Sequence, residues 1–217
     1  MAVSLSKITL EKRGDSHKID LSKSTDEQIT INLNWSQQQK KGGFFSSLFG
    51  ANKEIDLDLG IYWEIKDGTA GMIDGLQFSK GQGGPRHKLS RQGRYTDLPW
   101  VWHCGDDRSG SSENGETILV NPKGIQDLRR LVVYCFIYDG VAQWAESDAV
   151  VTVKVPNQPE IVVEMGKQSD HHSFCAIASI DFIGSQMSVR KEINFFNGHA
   201  DCSQHYDWGF EFSAASK

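Results

Sequence analysis

The stretch Ile55–Gly68, IDLDLGIYWEIKDG, carries the clearest structural signal in the chain. Ile55, Leu57, Leu59, Ile61, Trp63 and Ile65 fall on one side of an extended chain. Asp56, Asp58, Gly60, Tyr62 and Glu64 fall on the other. A period of two is the signature of a half-buried strand. Asp67-Gly68 supplies the turn that ends it. The polar face is odd in one respect. Aspartate is a poor strand former, yet Asp56 and Asp58 stand side by side on it.

The same grammar runs outward in both directions. QITINLNW (28–35) alternates toward the N-terminal side. LRRLVVYCFIYDG (128–140) is apolar without alternation, as expected of a central strand buried on both faces. DAVVTVKVPNQPEIVVEM (148–165) reads as two strands split at Pro156–Pro159. HSFCAIASIDFIGSQMSVRKEINFF (172–196) reads as a hairpin turning near Gly184-Ser185. YDWGFEFSA (206–214) alternates again and predicts a last strand. Only NPKGIQDLRR (121–130) offers a helical turn, just after Pro122. Many short strands with glycine-rich turns predict an all-β fold, an antiparallel two-sheet β-sandwich with long loops. No linker or internal repeat divides the chain, so residues 1–217 are expected to form a single domain.

The totals set bounds on function. A net charge of −5 and 24% charged residues give no basic excess, so nucleic acid is not an expected partner. No apolar run approaches the roughly 20 residues of a membrane helix. MAVSLSKITLEKRGD has no apolar segment of the signal-peptide kind, which predicts a cytoplasmic protein. The four cysteines are then reduced thiols, mostly packed as small hydrophobes. No CxxC pair supports structural zinc.

Chemistry concentrates in HCGDDRSGSSENGETILV (103–120), where Asp106, Asp107, Glu113 and Glu116 crowd between two apolar runs. Gathered carboxylates repel unless they are well solvated or hold a cation. Calcium takes six to eight oxygen ligands in a flexible shell, and serine hydroxyls and glycine carbonyls can complete it. A plain polar hairpin loop is the other reading, since the EF-hand spacing is absent. Were the Asp56/Asp58 strand to lie beside this segment, the two would make one cage of oxygen donors. Two further loops stand out. Ser36–Glu54 carries Phe44, Phe45, Leu48 and Phe49, a docking patch for a partner or a membrane surface if it does not fold back on the sandwich. Ser79–Tyr95 is basic but lacks the phosphate-loop pattern, and reads as solvated. Catalysis is not expected. His103 and Cys104 face apart in an extended chain, His171, His172, His199 and His205 read as surface or turn histidines, and no nucleophile elbow or small-molecule substrate site is visible.

The D-x-D strand, the run GDDRSG, the later Gly115-Glu116 pair and VVYCFIYDGVAQWAESDAVVTVKVPNQPEIVVEM occur in an order that resembles the tellurium-resistance TerD-domain family, closest to its TerA-like branch. The resemblance covers nearly the whole chain. It implies a calcium-binding β-sandwich linked to stress and tellurite resistance, with metal ligands at Asp56, Asp58, Asp106, Asp107, Glu113 and Glu116. It also implies partners among other stress and tellurium-resistance proteins, placed at the inner face of a membrane. The loop here is shorter and less acidic than the TerD type. Fewer charged ligands imply weaker calcium binding, or one ion where relatives hold two. Tellurite chemistry acts on sulfur, which makes the cysteines a second, minor candidate. The functional expectation is a metal-dependent scaffold or sensor; the alternative is a metal-free interaction domain docking through Phe44–Phe49.

Overall fold

The computed structural model describes residues 5–23, 27–35, 56–78, 84–105, 115–139, 144–166 and 168–213. The Phe44–Phe49 segment lies outside them, as do Lys80, Asp106, Asp107 and Glu113.

In chain order the strands are β1 (Ile8–Thr9), β2 (Ser16–Asp20), β3 (Ile29–Asn34), β4 (Asp56–Ile65), β5 (Ala70–Asp74), β6 (Gly93–Arg94), β7 (Val101–His103), β8 (Glu116–Val120), β9 (Leu128–Asp139), β10 (Val150–Lys154), β11 (Ile161–Glu164), β12 (Phe174–Ile183) and β13 (Gln186–Phe196). Among the described residues three short α-helices interrupt them: α1 (Gly75–Phe78), α2 (Trp144–Ser147) and α3 (His199–His205). One sheet runs β1-β11-β10-β3-β8-β7-β6 and the other β2-β13-β12-β9-β4-β5. Every pairing is antiparallel except β1 with β11. This is the all-β, two-sheet sandwich that the alternation predicts.

The core lies between the sheets, where the inward sides of the alternating strands meet. Ile31, Leu33, Ile118, Val151 and Val153 come from one sheet, and Leu57, Leu59, Ile61, Leu131, Val133 and Ile177 from the other. All eleven are fully enclosed. Removing such side chains from water is the main favourable contribution to folding.

β4 departs from expectation. Its polar side is not solvated, because Asp58, Tyr62 and Glu64 are all buried. A second apolar cluster covers the outer face of that sheet. Tyr62, Val132, Tyr134, Phe136 and Phe174 pack there against Cys202 and Tyr206, with Trp208 and Phe210 alongside. Glu64 tolerates burial because Arg129, Arg130 and the Trp208 indole all donate to it. Gly60 is required in this layer, since a Cβ there would stand 2.2 Å from the Tyr134 ring.

The expected C-terminal strand is not one. Residues 206–213 follow α3 as irregular chain. The alternation of Trp208 and Phe210 is nevertheless real: their rings stack at 5.9 Å and 2°. They cover the sheet from outside and join no ladder. The single helical turn expected after Pro122 forms as a 3-10 turn, Pro122–Gly124, capped by the Asn121 side chain.

Candidate metal centre

The centre starts from an interrupted ladder. β5 pairs with β4 as far as Asp74 opposite Gly60, and Gly75 then begins α1. The next β4 residue with backbone groups on that side, Leu59, has lost its strand neighbour. A buried amide or carbonyl left unpaired costs about 1–3 kcal/mol. Two side chains from the opposite sheet take the place of the missing strand. Glu116 Oε2 accepts from the Leu59 amide at 2.6 Å. His103 Nε2 lies 3.0 Å from the Leu59 carbonyl.

Both side chains point inward because of strand parity. His103 shares a side of β7 with Val101, and Glu116 shares a side of β8 with Ile118 and Val120, which are core residues. Glu116 and His103 are accordingly 1% and 0% exposed. The Gly105 amide donates to His103 Nδ1 at 3.2 Å. That leaves the ring proton on Nε2, where it can donate to Leu59. The Phe78 ring packs against the imidazole at a tilt, with centroids 4.9 Å apart.

His103 and Glu116 are also the two stems of the acidic segment. Both ends of the 104–115 connection are thereby fastened to β4 next to Asp58. Gly115 makes the return possible. It sits at φ +55°, with the Leu33 carbonyl 2.1 Å from where a Cβ would be. A larger residue could not bring Glu116 into register opposite Leu33.

Asp58 is 0% exposed, on the β4 side away from the inter-sheet core and opposite Phe136 in the ladder. Asp56 is half-buried at the start of the strand. The thiol of Cys135 feels both parts of the centre. Burial raises it most, and the charges of Glu116 and then Asp58 push it further up. Of the six residues expected as ligands, the structure therefore brings Glu116 to the strand of Asp58 and Asp56. Asp106, Asp107 and Glu113 lie outside the described residues.

One curated relative matches throughout. Tellurium resistance protein TerA of Alcaligenes sp is 34% identical over 216 residues, which is 99% of this chain and 60% of that protein. The chain resembles the TerD/TerA-like tellurium-resistance proteins. It spans about three fifths of that relative's length. A solved homologue of the telluride resistance protein TerD from Streptomyces coelicolor A3(2) aligns at TM-score 0.49 and 10% identity, over 82% of this chain and 95% of its own. No protein-family model matches the chain.

The chain carries functional-looking residues beyond those expected. Asp139 stands opposite Asp56 in the β4–β9 ladder, beyond a register shift. In the sequence it reads only as half of an Asp-Gly turn. In the sequence His103 reads only as facing away from Cys104, although its parity with Val101 marks it as inward. His199, read as a surface histidine, is instead 2.8 Å from Asp74 through Nε2. Asp74 is fully buried, and it also accepts from the Tyr134 hydroxyl at 2.7 Å. This network ties α3 to β5.

The cysteines offer little to thiol chemistry. Cys135, Cys175 and Cys202 are buried, and burial raises each thiol. Cys104 is exposed, but desolvation raises it too, with Arg86 opposing. Thiolate, the reactive form, is therefore scarce at neutral pH.

Proposed function

We propose that the chain is a calcium-dependent scaffold or sensor in a tellurium-resistance and stress-response assembly, and not an enzyme. The observation that carries this reading is the 2.6 Å bond between the Leu59 amide and Glu116 Oε2. It joins the Asp-x-Asp strand to the end of the acidic segment. The donor set suits a hard cation. Asp56, Asp58 and Glu116 are all carboxylates, and calcium prefers oxygen ligands. Asp58 is held at 0% exposure, an environment in which a carboxylate favours a cationic partner.

In this reading Asp56, Asp58, Asp106, Asp107 and Glu113 hold the ion. Glu116 would join them from the end of the segment that its bond to the Leu59 amide fixes. Calcium supplies charge neutralisation and cross-linking, not bond chemistry. The protein's own part is to fix the stems of the acidic segment through His103 and Glu116, so that ion binding orders one surface for a partner. The partners are other stress and tellurium-resistance proteins in the cytoplasm, at the inner face of a membrane. The 34% identity to a tellurium resistance protein supports the tellurium-resistance setting.

Calorimetric titration with calcium tests it. A saturable heat that disappears in Asp58→Ala and Asp106→Ala supports the reading. No binding at millimolar calcium overturns it in favour of a metal-free domain docking through Phe44–Phe49.

A further inference from the structure

The connection between β11 and β12 carries a second group of donors with different chemistry. Asp170, His171 and His172 each place one ligating atom within 4.8 Å of the other two. Among the described residues this is the one such group of three histidine, cysteine or carboxylate side chains. The Asp170 carboxylate accepts from the His172 amide at 2.8 Å and lies 2.6 Å from His172 Nδ1. The two imidazoles stack, with centroids 4.6 Å apart and planes 25° apart.

The backbone beneath them is already fixed. The fully buried Trp144 donates from its indole to the His172 carbonyl at 2.7 Å. The Ile137 amide donates to the Ser173 carbonyl at 2.8 Å, and Gln168 Nε2 to the Met165 carbonyl at 2.8 Å. An ion would thus meet donors on a pre-positioned loop and order little chain on arrival. The group is reachable: His171 is exposed, and the Asp170 and His172 side chains are each 31% exposed. Asp170 and His171 line a cleft of about 450 Å³, whose other walls include Arg13 and Lys191. Lys191 is occupied by the carbonyls of Leu10, Glu11 and Glu164, so it does not compete for the carboxylate.

One carboxylate oxygen with two imidazole nitrogens is a donor set that suits zinc and its neighbours, whereas calcium prefers an all-oxygen shell. We propose that Asp170, His171 and His172 form a binding site for a borderline divalent transition ion, with a coordination position left for water or an outside ligand. The site stands apart from the carboxylate centre in composition. It lies at the same end of the sheet, since Phe174 pairs with Phe136 and Phe136 with Asp58.

Zinc is the probe, titrated into the untagged full chain in competition with a chromophoric chelator. The wild type should bind zinc, and His171→Ala with His172→Ala should weaken binding by about 100-fold, the upper end of what losing supporting groups alone does. Asp170→Asn should weaken it by at least about tenfold. Circular dichroism checks that each variant is folded; the exposed His171→Ala alone serves if the pair is not. Cobalt(II) in place of zinc should show visible d–d bands without a thiolate charge-transfer band. Asp58→Asn should leave zinc binding intact, which separates this site from the calcium reading. The proposal is overturned if the wild type does not bind zinc, if the folded double variant binds it equally well, or if the cobalt spectrum shows sulfur ligation at Cys104.

Discussion

Leu59 and Glu116 stand on facing sheets, and the Leu59 amide donates to Glu116 Oε2 over 2.6 Å. A carboxylate here does what a strand would do if β5 continued past Asp74. The consequence is local and geometric: the segment that gathers acidic residues has its ends held where the Asp-x-Asp strand begins.

Glu116 should therefore show two separable roles. In Glu116→Gln the amide oxygen can still accept from Leu59, so stability should fall by no more than about 1 kcal/mol. In Glu116→Ala the buried amide loses its acceptor, and about 2–3 kcal/mol should be lost. Urea denaturation of both variants reads the difference. Calcium affinity should drop in both, because each removes a charged oxygen. Equal stability for the two variants would contradict the bracing role.

Gly115→Ala should be costly out of proportion to its size. It places a side chain at φ +55° and directs its Cβ to within 2.1 Å of the Leu33 carbonyl. Strain and backbone displacement together should destabilise the fold by more than about 1 kcal/mol. Thermal unfolding measures this, and the same variant should weaken calcium binding because Glu116 shifts. An unchanged melting temperature would show that the turn tolerates a side chain.

The four thiols should divide sharply in a titration with a thiol reagent. Cys104 alone should react in the native protein, and the other three only after denaturation. The buried thiols also set a pH dependence. Their folded values lie above the ordinary 9.0, so the folded state resists their ionisation while the unfolded chain allows it. Their contribution is complete below about pH 9 and is lost as pH rises further. Tyr62, Tyr134 and Tyr206 act in the same direction above 10.0, again chiefly through burial. Urea midpoints should hold level from pH 7 to about 9 and then fall. A midpoint that rises above pH 9 would contradict this.

The architecture was legible where a strand's own neighbours determine its pattern. β4, β9 and the β12–β13 hairpin carry their period or their apolar run in contiguous sequence, and their turns fall where Asp67-Gly68 and Gly184-Ser185 predict. What escaped depends on distant chain. β4 reads as half-buried because Tyr62 and Glu64 look solvated until α3 and Trp208 are folded over them. α3, HADCSQH, has seven residues and no apolar period. Trp208 and Phe210 alternate like a strand, yet they lie on the outer aromatic layer and pair with none. At the centre, Asp58 and Glu116 were visible as residue types, but their link was not. It runs through a backbone amide between two sheets, and no side-chain pattern encodes the point at which β5 ends. His103 was missed for the same reason, since its partner is the Leu59 carbonyl.

Diffraction from a crystal grown with calcium shows whether these carboxylates share an ion. The map should contain an ion with ligand oxygens at about 2.4 Å, one of them from Asp58 and others from the acidic segment between His103 and Glu116. An Asp58 carboxylate with no ion within reach at millimolar calcium, or an ion bound wholly elsewhere, would contradict it.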